Sequence, residues 1–104
     1  MTDSIGQAIW RLISGTSHWS PARWRDGQPS RQAAVAQLVQ KLADVVAEAE
    51  SQPRRTVPEV ENPLTLGAQL AVMGHDLHAV DDQLTEAQRR AIHEAIAATR
   101  AQIF

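Results

Sequence analysis

The sequence predicts an all-α protein: a small bundle of four helices, with a short N-terminal helix, a long loop and three core helices that include a C-terminal helical hairpin. Two observations predict this fold class. Apolar residues recur at three- and four-residue spacing through four segments, which is the pattern of amphipathic helices. Each segment also follows residues that cap helices well. At 104 residues, the chain is long enough for one modest core, and we expect residues 1–104 to form a single domain.

The first predicted helix covers about residues 4–14, where apolar residues from Ile5 to Ile13 form one stripe. Asp3 or Ser4 can cap its start, because a short polar side chain accepts a hydrogen bond from the first turn. A glycine follows the segment directly and is expected to end the helix.

Residues 15–30 combine Gly, Ser, Pro and Asp without helical periodicity, so the sequence predicts a loop there. Loops of this length in small domains are commonly functional or disordered. The loop carries Trp19 and Trp24, whose large apolar rings gain free energy by packing, which argues against complete disorder.

The second predicted helix covers about residues 31–51, with Ser30 as its cap and a seam of Val, Leu and Ala side chains along one face. A connector over residues 52–62 should follow, because Pro53 and Pro58 block continuation of the helix.

Asn62 and Pro63 predict the start of a third helix, over about residues 63–80, as a cap followed by proline at the first helical position. One strip of this helix consists of small residues: Gly67, Ala71 and Gly74. Glycine inside a helix costs about 1 kcal/mol relative to alanine, so we expect a compensating close approach of another helix. The second helix offers a matching small surface: Ala36, Ala43 and Ala47.

The fourth predicted helix covers about residues 86–103 and follows a short turn. Thr85 and Gln88 have the spacing of a capping box at its start. Because the turn is short, the third and fourth helices should form an antiparallel hairpin or an angled pair.

Composition excludes several function classes. The chain has no cysteine, which rules out disulfides, thiolate metal sites and cysteine nucleophiles. No apolar run is long enough to span a membrane, and no signal peptide is evident, so we expect a cytoplasmic protein without a membrane partner. A net charge of −2 argues against nucleic acid as a partner. No motif predicts a cofactor or an assembled catalytic triad, which favours a non-enzymatic protein.

Tryptophan and arginine are concentrated between residues 10 and 25, and this segment is the first candidate site. Its candidate partner-binding residues are Trp10, Trp19, Arg23, Trp24 and Arg25. These residue types dominate binding hot spots, so they favour a regulatory or interaction module that contacts an acidic protein. The alternative is structural: the rings at positions 19 and 24 fold over the open end of the bundle as a lid. The length and two apolar surfaces of the second helix also predict a homodimer.

Two further functions remain open from the sequence. A small helical ligand-binding protein or enzyme would have its pocket near Gly67, Ala71 and Gly74. Helix-turn-helix DNA binding is the weaker alternative, because acidic residues surround the arginines that open the fourth helix and would oppose phosphate.

A metal site is the last hypothesis. His75 and His78 are three positions apart on one side of the third helix, and Asp82 follows seven positions after His75. Together they could supply three ligands to zinc. Helix geometry turns this face away from the apolar seam towards solvent, and the sequence fixes no fourth ligand, so a solvated helix face is the favoured interpretation.

Overall fold

A computed structural model describes residues 4–104 and confirms the all-α class. In that range there are five α-helices and no strands. The helices are α1 (Ile5–Thr16), α2 (Pro21–Arg25), α3 (Arg31–Ala49), α4 (Leu66–Ala79) and α5 (Glu86–Ile103). Two 3₁₀ turns, Pro63–Thr65 and Asp81–Gln83, precede α4 and α5. The candidate cap Asp3 lies outside the described residues.

Side-chain caps start α1, α3 and α5 where the sequence predicts them. The helix predicted from Pro63 instead begins as a 3₁₀ turn capped by Asn62, and α4 follows from Leu66. Ser4 forms a capping box with Gln7 at α1, and Thr85 forms one with Gln88 at α5. The Ser30 hydroxyl accepts a hydrogen bond from the backbone of the first turn of α3. Each such bond satisfies a backbone N–H that has no partner within the helix, and typically contributes about 1 kcal/mol.

The segment predicted as a loop over residues 15–30 contains the short helix α2, and α1 continues through Gly15. Ser20 caps α2, since its hydroxyl accepts from the backbone N–H of Arg23 at 3.2 Å, and Pro21 occupies the first helical position. Five residues are too few to show periodicity, so the sequence pattern does not reveal this helix. Its buried residue is Trp24.

The bundle core consists of α1, α3, α4 and α5. The helices α1 and α3 each pack against both α4 and α5. Buried Ile, Leu and Val side chains from all four helices meet in one continuous cluster. The Val and Leu stripe of α3 lies in this cluster, so that surface is used within the chain.

The helices α3 and α5 are antiparallel. Gln88 in the first turn of α5 donates to the Glu48 carboxylate near the end of α3, with 3.0 Å between Nε2 and Oε1. At the opposite end, Arg31 in the first turn of α3 donates to the carbonyl of Ile103, with 3.1 Å between Nε and O.

The helices α3 and α4, in contrast, run in the same direction. Gln32 near the start of α3 donates to the carbonyl of Val60, shortly before α4 begins, at 3.4 Å. Just after α4 ends, Asp81 pairs with Arg89 in the first turn of α5, which lies beside the end of α3. The connector over residues 52–62 therefore returns along α3.

A Schellman motif ends α3 and directs the chain into this connector. Ser51 is in the left-handed region with φ of 57°. Its N–H donates to the carbonyl of Glu48 at 3.1 Å, and the N–H of Gln52 donates to the carbonyl of Ala47 at 2.8 Å. These are the two hydrogen bonds that define the motif.

The strip of small residues on α4 does not receive α3, and the predicted close approach is wrong. An ideal Cβ on Gly74 would lie 3.7 Å from Ile9 of α1, an ordinary contact, and one on Gly67 would meet nothing within 4 Å. Ala71 is exposed. Of the alanines on α3, Ala36 is exposed, whereas the other two contribute to a cavity described below.

Candidate ligand-binding site

A cavity of about 790 Å³ lies between α3, α4 and the connector. Eleven of its eighteen lining residues are Val, Ala, Pro or Met, so its wall is mainly apolar. From α3 it is lined by Val39, Ala43, Val46, Ala47 and Glu50; from the connector by Gln52, Pro53, Arg55, Thr56, Val57, Pro58 and Val60; and from the α4 side by Thr65, Ala68, Gln69, Val72, Met73 and Asp76.

Each helix contributes a single stripe to the wall. The α3 stripe extends from Val39 to Glu50 and the α4 stripe from Thr65 to Asp76, eleven positions in both cases. Both stripes follow the three- and four-residue spacing of one helix face. Eleven residues of helix correspond to about 16 Å, so the cavity is an elongated groove.

The connector forms the third wall, and glutamine side chains fasten it. Gln40 on α3 donates from Nε2 to the carbonyl of Arg55 at 2.9 Å and accepts from the N–H of Val57 at Oε1, at 2.8 Å. An extended segment outside a sheet has no backbone partners for its N–H and C=O groups, and the Gln40 amide supplies partners for two of them. From the other side, Gln69 on α4 donates to the carbonyl of Pro58 at 3.3 Å.

The charged groups of the lining are unevenly distributed. Glu50 and Asp76 are the last residues of their stripes, and both lie at the C-terminal ends of helices that run in the same direction. The lining also contains Arg55, whose backbone is held beside Gln40, ten positions before Glu50 on α3. One end of the groove is therefore acidic, while its middle is apolar.

The pocket predicted near Gly67, Ala71 and Gly74 is on a different face of α4. Gly74 contributes to a smaller cleft of about 350 Å³, together with residues of α1 and α5. Neither Gly67 nor Ala71 lines that cleft or the large cavity. The structure thus places the main cavity on the α3 side of α4, and the small residues that line it are alanines.

The tryptophans between residues 10 and 25 differ in environment. Trp19 and Trp24 are 4 % and 2 % exposed and meet edge to face, with ring centroids 5.0 Å apart. Phe104 contacts the Trp19 ring in the same manner, at 5.4 Å. These two tryptophans close one end of the core, as the structural alternative required. Trp10, in contrast, is 65 % exposed on α1.

Three arginines line a shallow hollow beside α2. Arg23, Arg25 and Arg31 share it with one acidic residue, Asp26. The Arg23 guanidinium lies 4.8 Å from the centroid of the Trp19 ring, a cation–π distance. Arg31 is anchored by hydrogen bonds to backbone carbonyls and by a 3.5 Å ion pair with Asp26. The hollow carries a net positive charge.

The predicted zinc ligands are not assembled. His75, His78 and Asp82 are exposed. Between residues 4 and 104, no group of three or more His, Asp or Glu side chains is arranged to hold a metal ion. Helix periodicity predicts the two histidines on one side of α4. His78 shares a cleft with Asp81 and His93, but these side chains are not arranged as a metal site within the described residues.

One of the two arginines near the start of α5 forms an ion pair within the protein itself. Arg89 donates to the Asp81 carboxylate at 2.8 Å. This hydrogen bond lowers the pKa of Asp81 below its ordinary value; desolvation opposes the shift, and the positive charges of Arg89 and His78 add to it. A recognition helix needs such cations for phosphate, so this ion pair weighs against the helix-turn-helix hypothesis.

No protein-family model, curated protein or solved structure matches this chain. None of the helices within residues 4–104 is long and apolar enough to cross a membrane. The functional argument therefore rests on the geometry of the cavity and of the arginine hollow.

The cavity has only a partial signal in the sequence. The stripe from Val39 to Glu50 combines small and apolar residues, and the one from Thr65 to Asp76 does the same. Neither stripe reveals a groove by itself. A groove forms only because the connector returns along α3 and the two helices run in parallel, which is a tertiary feature.

Proposed function

We propose that this protein is a non-enzymatic binding protein for a small apolar molecule, held in the cavity between α3, α4 and the connector. The observation that carries the proposal is the cavity's volume of about 790 Å³ together with its mainly apolar wall. Ligand sites typically occupy about 300–1,000 Å³ and combine an apolar wall with a few polar groups.

The chemistry of the wall favours binding over catalysis. Between residues 4 and 104, the lining includes no histidine, serine or lysine. Histidine is the commonest general base, and serine and lysine are common nucleophiles, so within the described range the acid–base groups of the lining are limited to the carboxylates of Glu50 and Asp76. The amides of Gln52 and Gln69 and the hydroxyls of Thr56 and Thr65 supply hydrogen-bonding groups instead, and these fix the orientation of a ligand.

The test is a titration with Nile red, a neutral apolar dye that fluoresces in apolar surroundings. Saturable binding at one site per chain is expected. Ala43→Leu places three further heavy atoms in the cavity and should weaken binding at least tenfold, and Ala68→Leu on the opposite wall should do the same. Ala36→Leu is the matched control, because Ala36 is an exposed α3 residue outside the lining.

Two results would overturn this function. One is the absence of saturable dye binding to the folded protein. The other is equal weakening by Ala36→Leu and the two cavity variants, since that would place the dye elsewhere. Thermal melting of each variant without dye verifies that it folds, and dye at one hundred times its dissociation constant should add about 2.7 kcal/mol of stability to the parent protein.

A second function, interaction with an acidic protein segment, is favoured by the arginine hollow. Arg23 and Arg25 have charged groups at the surface and lie beside a rigid Trp-lined end of the core. Charge complementarity of this kind raises association rates and specificity. A fluorescent deca-glutamate peptide should bind, with at least threefold weaker affinity for Arg23→Ala/Arg25→Ala. Arg54→Ala, on the connector, is the control and should bind normally. Equal affinities would count against this function.

As part of this second function we also propose a homodimer, but through a surface other than the second predicted helix. The Val and Leu stripe of α3 is buried in the chain's own core, so it offers no surface to a partner. Exposed Trp10 is the large apolar side chain of α1 that a second copy would cover. Light scattering should give about twice the 11.4 kDa chain mass, and Trp10→Ala should return it to the monomer. A monomeric parent protein would refute the dimer.

A further inference from the structure

We infer that the cavity binds a cationic amphiphile: an elongated molecule with an apolar body along the α3 and α4 stripes and an amine head beside Glu50 and Asp76. This inference rests on the proposed ligand-binding function and specifies the ligand class.

The first argument is the direction of the helices. Because α3 and α4 run in the same direction, the acidic residues that end both stripes lie at one end of the groove. In an antiparallel pair, the same stripes would place Glu50 and Asp76 at opposite ends. The fold thus gathers two carboxylates at one end of an apolar groove, which suits a ligand with one charged end.

The second argument concerns the local field at that end. The last turn of α3 contains no basic residue, so its negative dipole end is not offset within the helix. A helix C-terminus favours a cation by roughly 0.3–1 kcal/mol. The nearby Arg54 lies 3.8 Å from the Glu48 carboxylate. Glu48 is outside the lining, so this ion pair does not involve Glu50 or Asp76. The C-terminal end of α3 therefore adds to the attraction of Glu50 and Asp76 for a positive charge.

The third argument is the remainder of the wall. Val46, Val72 and Met73 lie along the groove from the acidic end, and an alkyl or aromatic body there would remove apolar surface from water. Such burial contributes about 25 cal/mol per Å². Arg55 is a cation of the lining, and its backbone is fixed beside Gln40, away from the acidic end. A ligand with a carboxylate head would have to place that group near Arg55 instead.

The experiment compares three probes that share one eight-carbon chain: octylamine, octanol and octanoate. Displacement of bound Nile red at pH 7 measures their affinities. The expected order is octylamine, octanol, octanoate, with octylamine at least tenfold tighter than octanoate. In Glu50→Gln/Asp76→Asn, octylamine should lose that advantage, while the affinity for octanol stays within twofold.

The control Glu59→Gln removes one negative charge from the connector at an exposed position outside the lining. It should leave the tenfold preference intact. If the three probes bind equally, or if octanoate binds most tightly, the amine inference is overturned while the apolar binding site stands. If none of the probes displaces Nile red and the dye itself does not bind, the proposed function fails as well, so the two failures are distinguishable.

Discussion

Substitution of Gln40 tests whether this side chain holds the connector against α3. Gln40→Ala removes three hydrogen bonds: those to the carbonyl of Arg55 and from the N–H of Val57, at 2.9 and 2.8 Å, and one to the Asp44 carboxylate one turn later on α3, at 2.9 Å. A hydrogen bond contributes a net 0.5–1.5 kcal/mol or so. The Val57 bond is partly buried and should contribute about 1 kcal/mol, and the exposed Arg55 bond about 0.5 kcal/mol. The Asp44 bond, between side chains four positions apart on one helix, should contribute about 0.3 kcal/mol. We therefore expect a loss of about 1.8 kcal/mol from the free energy of unfolding, measured by urea denaturation followed by circular dichroism.

Hydrogen exchange gives the local measurement. The Val57 amide should lose its protection in Gln40→Ala. In Gln40→Glu the Val57 amide should keep its protection, because a carboxylate still accepts a hydrogen bond from that N–H although it cannot donate to the carbonyl of Arg55. Gln37→Ala, at an exposed position one turn earlier on α3, should change neither stability nor exchange. If Val57 exchanges equally in the parent protein and in Gln40→Ala, then Gln40 does not hold the connector and the wall of the cavity is not fixed as described.

Three further outcomes are expected. Gly74→Ala should raise the free energy of unfolding by about 1 kcal/mol, because alanine favours the helix more than glycine does and there is room for its Cβ. Gly15→Ala should gain less, because its Cβ would lie 2.9 Å from the Phe104 ring, which would have to shift; a larger gain at Gly15 would contradict the helix packing. Trp10→Phe should remove most of the tryptophan fluorescence that acrylamide quenches, because the other two indoles are buried; unchanged quenching would place Trp10 inside. Asp81→Asn should lower stability near neutral pH. Because the folded-state pKa of Asp81 is depressed, its contribution is present above the ordinary value of 3.8 and is lost as pH falls through the folded pKa. Denaturation of parent and variant from pH 7 to 2 should therefore converge in acid, and a constant difference would contradict the Asp81–Arg89 pair.

Local signals in the sequence predict most of the helices. Ser30 and Thr85 start helices in the structure because their side chains accept backbone N–H groups within three residues, an interaction that needs no tertiary contact. The same chemistry starts α2 at Ser20 and Pro21, but the amphipathic pattern that identified the longer helices is absent over so short a segment. Caps alone, without periodicity, would have found it.

The candidate site could be predicted only in part, because its determinants are distant in sequence. From the sequence, Trp19 and Trp24 suit either a binding surface or the core. Their burial in the core depends on Phe104, which packs against Trp19 and is 85 positions away in the sequence. The direction of α4 relative to α3 depends likewise on side chains such as Gln32 and Gln40 that bind the connector. Neither contact has a pattern that a single sequence reveals.

The cavity also depends on side-chain size at a few positions. A connector that returns along a helix is necessary whenever two neighbouring helices run in parallel, and an extended segment with prolines packs less closely than a helix would. Leucine side chains beneath it would nevertheless fill the space. Alanine occupies the central positions of both walls instead, at Ala43, Ala47 and Ala68. An unfilled apolar groove leaves apolar surface in contact with water. Larger side chains would bury that surface and stabilise the fold by roughly 25 cal/mol per Å². A ligand that occupies the groove recovers that burial, which is why the alanines, more than the connector itself, argue for a binding site here.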